Sequence, residues 1–380
     1  MEKSLQRDIK TFFGSITVAQ DEARELLFQI ADVGVITTAC ASAVERGLGC
    51  YLSGESLQLH VSLVDRLPPI LRVYVGCAVV LYGDYRNADL IKIHVTSSKV
   101  SLMRFDDFEG KPLPRMVERV KIKMREQMVD FFDYGDQFEA PYLYGKSRFI
   151  NEEFTNYPEQ VEFEDALTAL GLFDFSGYGP RPAELEEGLS VHRWEIDGFR
   201  LVRATSLPDL DDPCGANFRF RDLIECGETQ AAAGSANVPR QAASFNALQD
   251  LAVHVLDPVI DYFGMIRLTF GFCSPELARA IPGRIDPKRD QHAAHELNRL
   301  GRIVCARLGA AVDFIVEDED MLEVAQWVAA NTPFDRLYFY GPDRPIHVSY
   351  GPNHDRQIVR MVRSTSGRLV PRVVAVEDFL

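Results

Sequence analysis

"LGAAVDFIV", residues 308–316, sets an aspartate inside a run that otherwise reads as a buried strand. Side chains on a strand alternate faces, so Asp313 shares one face with Ala311 and Ile315. An unpartnered carboxylate in apolar surroundings is costly, so Asp313 demands a strong partner. The small alanine beside it leaves room for one to approach. The elements around this strand set the fold class. "NALQDLAVHVLDPVIDYFG" (246–264) carries Leu248, Leu251, Ala252, Val255, Leu256, Val259 and Ile260 at helical spacing, with Gly264 as its stop. "MIRLTFGF" follows as a strand, and "MLEVAQWVAAN" (321–331) is a second amphipathic helix. "RLYFYG" and "PIHVSYG" read as strands joined by the turn "GPDRP". Helices and short strands mixed without βαβ regularity predict an α+β domain.

Two other segments offer partners for Asp313. "PIHVSY" puts His347 and Ser349 on one face and Ile346, Val348 and Tyr350 on the other. "DQHAAHE" (290–296) places His292 and His295 three apart, which on a helix is one face. Two histidines and an aspartate supply neutral nitrogen and hard oxygen donors, a set that suits zinc with one position left for water. The plainer reading is a set of satisfied histidines, with Asp313 capping a turn or pairing with an arginine.

The bulk numbers bound the answer. With 380 residues, 46% hydrophobic and 26% charged, the chain is globular and long enough for two cores. A net charge of −15 argues against non-specific coating of nucleic acid but leaves room for a local basic patch. The first twenty residues have no signal-peptide pattern, and no apolar run approaches the roughly 18 residues of a membrane span. Seven cysteines without C-x-x-C spacing point to a reduced, cytoplasmic setting.

In the first half, residues 20–48 read as helical, and "LRVYVGCAVVLYGD" (71–84) and "LIKIHVTSSKVSLMRFDD" (90–107) as strands, giving an N-terminal α/β domain over 1–175. "KPLPRMVERVKIKMREQ" (111–127) holds six basic residues against two acidic ones and predicts a helix starting after Pro114. Lys111, Arg115, Arg119, Lys121, Lys123 and Arg125 are the best candidates for DNA or RNA phosphate contacts, with Lys92, His94 and Lys99 extending them. The alternative is a solvated helix making local ion pairs. Gly, Pro and Asp punctuation marks 176–216 as linker or bridging strands, and 217–380 as the second domain.

From about Phe218 to Val362 the chain resembles the zinc D-alanyl-D-alanine carboxypeptidase family that includes phage endolysins. The resemblance lies in "ECGETQAAAGSANVP" (225–239), the helix at 246–264, and "IRLTFGFCSPELARAI" (266–281) where the family has S-G-Y-R-S-P-E-L-N. It continues in "QH" (291–292) and "GAAVDF" (309–314), against S-Q-H-x-x-G-x-A-x-D-F, and in His347–Tyr350 against H-V-S-Y. It implies a zinc peptidase-like α+β fold with a small antiparallel sheet, and a metal held by His292, Asp313 and His347. The departures are specific. The residues 293–308 form an insertion, Cys273 replaces the substrate-gripping arginine, and Asp290 replaces the serine before Q-H. The catalytic acid's position, three before the last histidine, is Arg344. Asp343 next to it, or Glu296 in the insertion, is the candidate general base; the plainer reading of Glu296 is a solvated helix face. Cys273, Ser349, His295 and Arg344 are the candidate pocket residues, with the Cys273 thiol a candidate fourth ligand.

Residues 50–175 resemble the C-terminal part of proteins described as DNA phosphorothioation-associated methyltransferases, which implies a DNA-modification or defence setting. "FFDYGDQ" lacks the second glycine of a cofactor loop, so no S-adenosylmethionine binding is expected. Two functions follow from the two resemblances. One is a metal-dependent hydrolase redirected away from peptidoglycan. The other is a non-catalytic zinc-binding component that meets nucleic acid or partner proteins.

Overall fold

The computed structural model describes residues 3–135, 138–227, 230, 237–281, 288–364 and 367–380. The chain forms two compact units, Met1–Glu186 with Ile196–Leu201, and Glu187–Glu195 with Val202–Leu380. Its class is mixed α+β, with helices and antiparallel or mixed sheets in both units. All seven cysteines are free, and no single helix among the described residues is long and apolar enough to cross a membrane.

The first unit opens with α1 (Lys3–Phe13), α2 (Ile16–Gln29) and α3 (Val33–Glu45). Strands β1 (Cys50–Leu52) and β2 (Ser56–His60) lead to α4 (Pro69–Tyr82). Then come β3 (Leu90–His94), β4 (Lys99–Phe105), β5 (Met116–Lys123) and β6 (Met128–Asp133). The strands pair in sequence order, each antiparallel to the next. An antiparallel meander is not the α/β domain that the sequence predicts. The expected strand at 71–84 is α4: its β-branched content suggests a strand, but Ile70, Leu71, Tyr74, Val75 and Ala78 are buried at helical spacing and a proline stands at the start. The expected helix after Pro114 is β5. Val120 and Ile122 point into the core with Leu57, Leu59, Ile91, Ile93, Val100 and Leu102, while Arg119, Lys121 and Lys123 alternate onto the other face. The period of two therefore outweighs the helix-forming residues between them.

After α5 (Tyr157–Ala169) and α6 (Pro182–Val191), the chain passes through β7 (Trp194–Asp197) and β8 (Arg200–Arg203). The second unit continues with β9 (Pro213–Cys214) and β10 (Phe218–Arg219), then the helical segments Ala242–Leu251, Ala252–Leu256 and Asp257–Phe263. Gly264 ends the last of these at φ +86°, where a side chain would be strained. The strands β11 (Arg267–Phe270), β12 (Ala310–Ile315), β13 (Arg336–Phe339), β14 (Ile346–Tyr350), β15 (Gln357–Arg363) and β16 (Leu369–Val374) make one sheet in the order β11-β12-β14-β13-β15-β16. The sheet is larger than expected and mixed, since β13 and β15 run parallel.

One face of this sheet makes the core. Val312, Phe314, Leu337, Ile346, Val348 and Ile358 pack with Phe245, Leu248, Leu251 and Val255 from the preceding helices, and with Val324 and Val328 of the helix Met321–Asn331. Alternation then sends Asp313, Arg336, Tyr338, His347 and Ser349 to the opposite face, which is where the candidate site lies.

Candidate metal centre

Strands β12 and β14 fix two of the three donors. Asp313 and His347 are direct register partners, and Oδ1 of Asp313 lies 2.8 Å from Nδ1 of His347. His292 comes from a short 3-10 turn, Gln291–Ala293, started by Asp290, whose Oδ1 accepts the His292 backbone N–H at 3.0 Å. Its Nε2 stands 3.1 Å from His347 Nδ1 and 3.3 Å from Asp313 Oδ1. The rings of Phe270 and Tyr338 meet His292 and His347 edge-on and hold their orientation.

The turn is stapled to the sheet through Gln291. Its side-chain amide donates to Leu308 O and Asp335 Oδ2, while its oxygen accepts from Ser349 Oγ. Ser349 is fully buried and also accepts the Arg336 backbone N–H. It is a structural clamp behind the site, not a pocket residue.

Three donor atoms converge on one point, and the charges there are mutually adjusted. Burial alone would raise the Asp313 pKa, yet the two imidazoles hold it well below the usual carboxylate range. Burial alone would lower that of His292, and Asp290 and Asp313 push it up to about 9 instead. The three side chains could hold a metal ion. Tetrahedral zinc with nitrogen and oxygen ligands sets its donors about 3.3 Å apart. The separations of 3.1 and 3.3 Å lie near that spacing, and the 2.8 Å between Asp313 and His347 would have to open by about 0.5 Å.

A cavity of about 200 Å³ opens beside His347, lined by Arg289, Asp290, Gln291, Arg336, Tyr338 and Tyr340. Asp290 Oδ1 lies 4.0 Å from His292 Nε2 and so presents a second carboxylate next to the three donors. Arg336 has no ion pair or side-chain hydrogen bond among the described residues, and its Nε is buried without an acceptor. These residues were not singled out as site members by the sequence reading. Their signal is the alternation in "RLYFYG", which puts Arg336, Tyr338 and Tyr340 on one face.

Other expected site residues stand elsewhere. Positive φ at Ala294 turns the chain after His292, so His292 and His295 share no helical face. His295 Nε2 accepts the Gly309 N–H at 3.1 Å, away from the three donors. Glu296 is 2% exposed, so it is not a solvated helix face. Its Oε1 accepts from the backbone N–H groups of Arg240 and Gln241 and from Ser244 Oγ, which ties it to the start of the helix Ala242–Leu251, and it does not line the cavity. Asp343 and Arg344 are exposed in the β13–β14 turn, and neither lines the cavity. Cys273 is not a ligand: it packs with Leu277 and Ile281, and burial pushes its thiol up to about 12. Much of the segment 225–239 lies outside the described residues.

No protein-family model, no curated protein and no solved structure matches this chain.

Proposed function

We propose that this chain is a metal-dependent hydrolase in which His292, Asp313 and His347 hold one divalent ion, and whose substrate carries an anionic group near the bond that is cut. The observation that carries the reading is the convergence of Nε2, Oδ1 and Nδ1 within 3.3 Å of one another on a cavity wall. The donor set suits zinc. Bound there, zinc would supply Lewis acidity and a water acidified to a pKa of about 7. Asp290 faces the same space and is placed to take a proton from an attacking water, the role expected of Asp343 or Glu296. Arg336 lines the same cavity and offers its guanidinium to a carboxylate or phosphate, taking the part of the arginine that Cys273 replaces. The chain order of "SPEL", "QH", "GAAVDF" and "HVSY", similar to that of the zinc D-alanyl-D-alanine carboxypeptidases, supports the same reading.

The test is metal analysis of the full chain after dialysis against zinc, beside hydrolysis of a panel of acylated dipeptides. Equimolar zinc in the wild type, lost in folded His292→Ala, together with turnover that Asp290→Asn abolishes, is the expected result. Zinc content that His292→Ala does not change removes the metal centre. Equimolar zinc with no turnover of any panel member makes a metal-stabilised, non-catalytic domain the better reading.

A further inference from the structure

The second face of the first unit's sheet gathers positive charge that the chain does not balance. Three rows cross the strands on this face. One runs Ser56, His94, Lys99, Lys123, Met128; the next Gln58, Lys92, Ser101, Lys121, Asp130; the third His60, Leu90, Met103, Arg119, Phe132. Five cations and a histidine therefore meet on three strands, in a protein whose net charge is −15. Asp130 is the one acid in these rows, and it pairs with Lys123 at 2.6 Å. Among the described residues, Lys92, Lys99, Arg119 and Lys121 make no ion pair.

These side chains are half-buried, not splayed into water. Burial and the Arg119 guanidinium lower the pKa of both Lys92 and Lys121, with Lys121 adding to the effect on Lys92 and Lys99 and Lys123 to that on Lys121, against Glu55 and Asp130. Burial and the same cations push His94 down to about 4, so it stays neutral among them. Arg119 Nε and Ser56 Oγ are buried here without a hydrogen-bond partner. Crowded like charges raise the free energy of the bare face, and an anion laid over it relieves them.

We propose that this sheet face binds the phosphodiester backbone of single-stranded nucleic acid. The cations span roughly 10 Å across the strands and 13 Å along β5, more than one phosphate covers and suited to a chain of them. Aromatic rings border the cations. Phe132 pairs with Arg119 in register, Lys121 Nζ lies 6.0 Å from its ring centre, and Phe138 packs against both Phe132 and Tyr134. Phe138 is 48% exposed, a platform on which unpaired bases can stack. The predominance of lysine on this face makes the contact one to backbone. Of the basic run 111–125, this assigns Arg119, Lys121 and Lys123 to the face. Lys111 and Arg115 are instead bound to Asp106 and Glu186, and Arg125 stands in the exposed β5–β6 turn.

The experiment is anisotropy of a fluorescent oligothymidylate with the full-length protein across a salt series. Wild-type protein is expected to bind at low salt. Lys92→Gln/Lys121→Gln is expected to weaken binding tenfold or more and to flatten the slope of log K against log salt by about 1.4, two single-strand contacts. Lys99→Gln, a single change, should remove half that slope. Lys111→Gln/Arg125→Gln should change nothing. Circular dichroism melts confirm that each variant folds. Absence of binding at low salt, wild-type binding by Lys92→Gln/Lys121→Gln, or equal loss in Lys111→Gln/Arg125→Gln would each overturn the proposal. A duplex of the same length bound as tightly would overturn the single-strand assignment.

Discussion

Asp313 and His347 sit directly opposite each other on antiparallel strands, thirty-four residues apart in sequence and 2.8 Å apart at their polar atoms. Register is what brings them together. A slip of one residue between β12 and β14 would send one of the two into the apolar core. The same pairing that buries Val312 against Val348 therefore assembles the donor pair, so folding and site formation are one event.

If the three donors hold a cation, the ion stabilises the folded state by mass action. Wild-type protein saturated with zinc should melt several degrees above chelator-treated protein, for about 3–4 kcal/mol at a hundred- to thousandfold excess over Kd. Asp313→Asn should abolish that difference. Differential scanning calorimetry of the two proteins reads it.

Asp290→Asn separates base from ligand. Metal content should be retained, and kcat for any acylated dipeptide that the wild type cleaves should fall by about a hundredfold or more. A variant with undiminished kcat returns the role to another group.

Arg336→Met should act on binding. For a substrate with a free carboxylate or phosphate beside the scissile bond, KM should rise by about tenfold or more, and kcat/KM for the uncharged amide analogue should not change. Comparable losses on both substrates would show Arg336 to be structural.

Glu296→Gln tests a capping role. Losing the charge-assisted bonds to Arg240, Gln241 and Ser244 should lower stability by about 1–3 kcal/mol in urea unfolding. Activity per folded molecule should hold; its collapse would restore Glu296 as a base.

Lys146 gives the first unit a pH signature. Its ammonium is buried, donates to the Phe108 and Lys111 carbonyls, and lies against the rings of Phe108 and Phe199. Burial lowers its pKa from 10.5 to about 8, with Glu164 opposing. Between these values the unfolded chain binds more protons than the folded one, so this group makes stability rise with pH from about 8 to 10.5 and level off above. The contribution is on the order of 3 kcal/mol. Unfolding measured across that range should lose this rise in Lys146→Met.

The second unit was more legible than the first, for a physical reason. An aspartate in an apolar strand is a local violation that only a partner relieves, and "PIHVSY" and "DQHAAHE" offered the partners by chemistry alone. Strand alternation through 308–316 and 346–350 was readable because each strand has one buried face. In the first unit, α4 is apolar on most sides and short, where β-branched residues mislead. In β5 the long charged side chains mask the inward pair Val120 and Ile122. The general base was illegible for another cause: Glu296 and Asp343 have the right chemistry, and only tertiary contacts show one of them capping a helix and the other out in a turn. Arg336 was missed because the lack of a partner is a property of surroundings, which no window of sequence contains.

Gln291 holds both the base of the His292 turn and the Leu308 carbonyl at the far end of the excursion 293–308. With its two ends pinned at one side chain and Glu296 tied to the helix that starts at Ala242, only the exposed tip of that excursion, 297–303, can change without disturbing the donor atoms. New recognition elements can be tried out there, at the rim of the chemistry, while the machinery below keeps its geometry.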